Sequence, residues 1–183
     1  MIDIKKLSNI PEIDLEDIYL RAVEYKDYKD MFEYGNDPYV TKTLTWKYNK
    51  LEDAQNAVKE VFLSRPNRSL PYAYAIVDKK SKKMIGTCDF HTIDWEKNQG
   101  EIGYVINRNY WNKGYMTKCS KALIDFGFNY LNLDSIIITH DAKNLASKRV
   151  IEKSGFRFKK DFISSKTSNL SKMYQIKKSD YLK

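Results

Sequence analysis

The residues best placed to do chemistry lie between Glu101 and Arg149. Trp111-Asn112-Lys113-Gly114-Tyr115-Met116 sets a Lys-Gly pair where an apolar stretch gives way to a helical period. A helix start has unpaired N–H groups and the positive end of a dipole, so it attracts anions. Glycine there lets the backbone approach a ligand closely. The chemistry on offer is therefore a main-chain cradle for a phosphate-bearing cofactor. An ordinary loop would use the same residues, and neither the Walker pattern nor Gly-x-Gly-x-x-Gly is present.

Two elements must hold that turn. Glu101-Ile102-Gly103-Tyr104-Val105-Ile106 is rich in β-branched and aromatic residues and reads as a strand. Beyond it, Met116, Cys119, Leu123, Phe126, Gly127 and Tyr130 recur at steps of three and four, with polar residues between. That spacing predicts a helix with one apolar face from about Gly114 to Tyr130.

Three motifs occur in order: Glu101-Ile102-Gly103-Tyr104, then Tyr110 to Met116, then Asn144-x-x-Ser147-x-Arg149-Val150-Ile151-Glu152-Lys153-Ser154-Gly155-Phe156. From about Ile18 onward the chain resembles the GCN5-related N-acetyltransferases (GNAT), specifically the RimJ/RimL-like branch that acetylates ribosomal-protein N-termini. The resemblance implies an α/β, single-domain GNAT fold: a mixed, mostly antiparallel central sheet of about seven strands flanked by about four helices. Residues 1–16 would be an N-terminal arm and 17–183 the acetyltransferase domain. It also implies that the turn binds the pyrophosphate of acetyl-CoA through main-chain amides. Trp111 takes the turn's first place, as is common in this branch. Asn112 stands where the branch usually has Gly, and Met116 where it has Ala or Gly. Both departures add bulk, but backbone donors survive a side-chain change, so binding is expected to persist with altered fit.

Composition bounds the alternatives. The chain has 183 residues, 42% of them hydrophobic and 14% aromatic, which suits one folded domain with a sizeable core. Lysines and arginines exceed acids by 32 to 24, a formal +8. Such a surface attracts anions, whether nucleic acid, a ribosome, an acidic peptide or cofactor phosphates, and it also serves plain solubility. No RNA-binding signature accompanies it, so nucleic acid is not expected as a partner except through a ribosome. Cys88 and Cys119 stand apart, and His91 and His140 are distant in sequence, which argues against a metal site or a disulfide framework. The first residues lack a signal-peptide pattern and no stretch reaches membrane-span length, so a cytoplasmic protein without membrane contact is expected.

Along the chain, residues 17–23 read as an edge strand and Tyr25 to Tyr34 as a helix stopped by Pro38. Asn49, with Glu52 three residues on, predicts a capping box for a helix burying Leu51, Ala54, Val58, Val61 and Phe62. Strands are predicted at 72–77 and 84–93 around a charged hairpin loop. Ile136-Ile137-Ile138 reads as a buried strand parallel to its predecessor across the helix. A helix over 144–154 stopped by Gly155 follows, then strands at 156–162 and 170–177.

The family chemistry assigns roles to side chains. An acceptor amine must lose a proton before it attacks; an α-amine titrates near ~8 and a lysine near ~10.4 in water, so a base helps. The resemblance places Glu101 near that amine as base, directly or through a water; the residue alone would equally be an exposed strand carboxylate. Main-chain amides around Val105 and Ile106 are expected at the acetyl carbonyl, as donors for the oxyanion. Asn144 suits helix capping, and in the family it bonds the pantetheine arm. Ser147 would lie near the sulfur as a hydrogen-bonding acid. Lys113, Lys118 and Lys148 are candidate phosphate contacts. Trp46, Asp89, His91 and Trp95 are candidates for the acceptor pocket, and His91 is a fallback base. The implied cofactor is acetyl-CoA, with no metal; the implied partners are an amine acceptor and a second copy in a homodimer. The acceptor could instead be an aminoglycoside, polyamine or amino acid. A non-catalytic ribosome-binding module and a structural assembly protein are the competing classes.

Overall fold

The computed structural model describes residues 4–181. Its strands are β1 (Ile13–Leu15), β2 (Ile18–Ala22), β3 (Tyr74–Asp78), β4 (Met84–Asp94), β5 (Gln99–Ile106), β6 (Ser135–Asp141), β7 (Arg157–Ile163) and β8 (Leu170–Lys177). They form one sheet in the order β1-β2-β3-β4-β5-β6-β8-β7. The β5–β6 pair is parallel, as the intervening helix requires. The β1–β2, β2–β3, β3–β4, β6–β8 and β7–β8 pairs are antiparallel. The helices are α1 (Ile4–Ser8), α2 (Tyr28–Gly35), α3 (Pro38–Thr41), α4 (Leu51–Asn56), α5 (Tyr115–Asp125), α6 (Leu145–Lys153) and α7 (Lys178–Tyr181).

Among the described residues eight strands replace the expected seven or so. The extra one is β1, from the stretch read as an arm. Glu16 takes a left-handed conformation (φ 67°), its N–H donates to Asp14, and the chain doubles back into β2. The first three residues of that arm lie outside the described residues. Among the described residues seven helices replace the expected four or so because short turns of helix join the long ones. Pro38 is an example: it opens α3, with Asp37 accepting the Tyr39 N–H at 2.8 Å, where the sequence predicts only a stop. Proline's missing N–H and fixed φ suit a first helical position.

The helix expected after Asn49 starts one residue later, and Asp53, not Glu52, accepts the N–H groups of Asn49 and Lys50. From Ala57 to Phe62 it widens to a π-turn. Ala54, Val58 and Phe62 are buried at steps of four, whereas Leu51, in the first helical turn, and Val61, within the wider turn, face outward. The organising helix widens likewise at its end, where α5 passes into a π-turn over Phe126–Tyr130.

Two compact units divide the chain. One comprises residues up to Asp89 together with Tyr104–Tyr115; the other comprises Phe90–Gly103 together with the chain from Met116. In the first, α2 and α4 pack with β3 around Met31, Tyr34, Ala54, Val58, Ala75 and Val77. In the second, the Phe90 ring, 1% exposed, lies against Gly100, Gly127 and Phe126. Burying such a ring contributes about 2–3 kcal/mol. Both cysteines are buried free thiols and act as small core residues.

Candidate functional site

The turn after β5 belongs to the first unit. Trp111 to Gly114 are all exposed, while the next two side chains, Tyr115 and Met116, are buried. The turn thus lies at the surface and the bulk of Met116 goes into packing. Asn112 (φ 62°) and Gly114 (φ 78°) both take the left-handed conformation. Alternating handedness of this kind folds successive N–H groups into an anion-binding concavity, and the eleven-residue α5 adds its own N-terminus. Asparagine tolerates this conformation better than most side-chain-bearing residues, which explains how it replaces glycine at 112. At Gly114 no other protein atom lies within 4 Å of where a Cβ would sit. Its demand is therefore conformational, and the space above it is open to a ligand.

The indole of Trp111 fastens the turn to the strand: Nε1–H donates to the Ile106 carbonyl at 3.1 Å. Val105 is held too. A Cβ on Gly86 would stand 2.3 Å from the Val105 carbonyl oxygen, so only glycine lets the strands approach there. Lys113 lies over the Tyr110 ring at 4.8 Å. Its charge also reaches Asp78, whose carboxyl burial pushes up but the Ser81 hydroxyl and N–H, with Lys113, pull below the usual range.

In the same unit, the Trp46 ring lies tilted against Tyr48, centroids 5.0 Å apart, above Gly35 and is partly exposed. Asp89 faces the buried Arg65 guanidinium at 3.6 Å. Burial pulls the Arg65 pKa down, partly countered by Asp89.

The second unit brings His91 and Glu101 together, with Nε2 of His91 3.5 Å from Oε1 of Glu101. The Thr139 hydroxyl donates to the same oxygen at 2.9 Å. The sheet explains the meeting. Register pairs Glu101 with Ile137, so Thr139, two residues on, shares the Glu101 face. Gly103 leaves room for the imidazole: a Cβ there would stand 2.9 Å from His91 Nδ1. Burial pushes the Glu101 carboxyl up, but His91 and Thr139 outweigh it, with help from Lys166, and the pKa sits below the ordinary value. Thr139 escaped the sequence reading because its face depends on the strand register; a hydroxyl beside an Ile-Ile-Ile run was the available signal.

The β5–β6 ladder covers three pairs and ends at Glu101–Ile137, although β5 runs on to Ile106 and β6 to Asp141. Asn144 caps α6, its Oδ1 accepting the Ser147 N–H at 3.1 Å. Ser147 is half-buried, and Lys148 pairs with Glu152 at 3.7 Å. Among the described residues no cluster of His, Cys, Asp or Glu could hold a metal ion, and no helix is long and apolar enough to cross a membrane.

These features agree with what the chain is similar to. A family model described as "Acetyltransferase (GNAT) domain" matches residues 17–157. An uncharacterized N-acetyltransferase, p20 of Bacillus licheniformis, is 31% identical over 147 residues, covering 78% of this chain and 80% of that protein. Among solved structures, RimL, a ribosomal L7/L12 alpha-N-protein acetyltransferase in complex with coenzyme A, superposes with a TM-score of 0.80 at 18% identity, covering 91% of this chain and 98% of that one. Spermidine N-acetyltransferase from Vibrio cholerae, in complex with CoA and spermine, superposes with a TM-score of 0.79 at 18% identity, covering 92% and 100%. With the family model spanning most of the sequence and the strand–turn–helix in place, the chain belongs to the GNAT family of N-acetyltransferases.

Proposed function

We propose that this N-acetyltransferase acetylates the N-terminal amine of a protein, with Glu101 as the base. The observation that carries the reading is the His91–Glu101 pair, 3.5 Å apart where the β5–β6 ladder ends. Acetyl-CoA, when bound, supplies the thioester whose acyl carbon accepts the amine. The amides of the Trp111–Gly114 turn and the α5 N-terminus hold its pyrophosphate, with Lys113 as a nearby cation. Main-chain N–H groups around Val105 and Ile106 orient the acetyl carbonyl, and the Asn144 carboxamide holds the pantetheine arm. Ser147 hydrogen-bonds near the sulfur. Glu101, ionised at neutral pH, takes the ammonium proton directly or through a water. Trp46 and Asp89 of the first unit and His91 of the second are the proposed acceptor contacts.

Charge favours a peptide over a polycation. The formal +8 repels polyamines at long range, Asp89 is offset by Arg65, and His91 and Lys166 act on Glu101. An acidic segment behind the acceptor amine would instead be drawn in. Two buried free thiols suit a reducing compartment, in keeping with the cytoplasm. A polyamine or other small amine is the second reading, raised by the fold shared with the spermidine enzyme.

The test is thiol release from acetyl-CoA with a panel of acidic N-terminal peptides, basic peptides, spermidine and aminoglycosides. Acidic peptides should give the highest kcat/KM, and Glu101→Gln should lower kcat by about 10²–10⁴. Turnover confined to spermidine would replace the peptide reading with the small-amine one. An unchanged kcat in Glu101→Gln would remove the base assignment.

A further inference from the structure

Glu101 is held by more than its strand. Its carboxylate takes two contacts, the Thr139 hydroxyl at 2.9 Å and His91 Nε2 at 3.5 Å, and both fall on Oε1. The two contacts come from the two flanking strands, His91 from β4 and Thr139 from β6. Thr139 lies just past the last β5–β6 pair, where the two strands cease to be held by ladder bonds. Its side chain therefore spans a gap that the backbone no longer bridges.

We propose that Thr139 is a positioning residue for acetyl transfer: by holding Oε1, it presents Oε2 of Glu101 to the acceptor amine. The inference rests on Glu101 being the base. A carboxylate turns freely about its last bond unless one oxygen is fixed, and a base misplaced by an ångström loses much of its effect. The acceptor ammonium gives one proton to Glu101, its freed electron pair forms the amide bond as the thioester C–S bond breaks, and the thiolate leaves with the second nitrogen proton as the CoA thiol. Thr139 neither gains nor loses a proton over the cycle. The groups facing the carboxyl are His91 on β4, Thr139 on β6 and Lys166 in the loop before β8.

The experiment compares pH profiles of kcat and kcat/KM for wild type, Thr139→Val, Thr139→Ser and Glu101→Gln. Valine keeps the shape and removes the hydroxyl; serine keeps the hydroxyl. In Thr139→Val, kcat should fall about tenfold, part of the 10²–10⁴ that a placed base supplies, with KM for acetyl-CoA unchanged. Its acid limb should move to higher pH, because a hydrogen bond that favoured the ionised carboxylate is gone. Thr139→Ser should recover both the rate and the limb. A Val variant with an unmoved limb and wild-type kcat overturns the inference, and so does a Ser variant as impaired as Val. If Glu101→Gln itself keeps full activity, the base reading fails first, and the two failures are told apart by that one variant.

Discussion

Glu101 competes for protons against its own surroundings. Burial raises its pKa, His91 and Thr139 oppose that and outweigh it, and the net sits below the ordinary glutamate value. Activity should therefore be flat through neutrality and fall only as pH drops through that lowered value, as a kcat/KM profile down to acid pH would show. Asn112 offers a second test at this scale. Its left-handed backbone predicts that Asn112→Gly leaves stability and acetyl-CoA affinity near wild type. A β-branched residue pays the full steric cost, so Asn112→Val should lose about 1–2 kcal/mol, read by denaturant melts, and raise KM for acetyl-CoA. These residues differ in how far the sequence disclosed them. Gly114, Glu101 and Asn144 were legible because turn, strand and cap each have a local chemical signature. Thr139 was not, since a hydroxyl gains its role only when a strand 38 residues away in sequence sets the register.

At the scale of elements, Gly86 is where two strands come closest. A methyl there would meet the Val105 carbonyl at 2.3 Å, and backbone cannot step aside cheaply. Gly86→Ala is expected to cost about 1–3 kcal/mol in melts and to displace the strand end that Trp111 fastens, raising KM for acetyl-CoA more than KM for the acceptor. Period two and period 3.6 exposed the strands from β2 onward and the courses of α5 and α6. They could not expose the π-turns at Ala57–Phe62 and Phe126–Tyr130, which add a residue to a helix without altering composition. Val61 shows the result: a residue expected in the core lies 45% exposed. β1 was hidden for a different reason, because three residues are too few to display an alternation.

Across the whole molecule, pH acts through groups that burial keeps in one protonation state. His140 is 6% exposed; its Nδ1–H donates to the Asp141 carbonyl at 2.7 Å, and Nε2 has no hydrogen-bond partner among the described residues. Burial pushes its pKa down, and Lys172 and Lys148 add to that against Asp141. A histidine harder to protonate when folded stabilises fully above its unfolded value of 6.5 and loses that contribution as pH falls below it. The Tm should accordingly begin to drop between pH ~7 and ~5.5, before Glu101 and the other lowered carboxylates titrate, and His140→Leu should flatten that first decline. The division of the chain has its own consequence during translation. The first unit stops at Asp89 and resumes at Tyr104–Tyr115, with Phe90–Gly103 given to the second. A nascent polypeptide paused after residue 89 lacks a piece of the only unit it has begun, so protection of that unit from protease should arrive only once Tyr115 has cleared the exit tunnel.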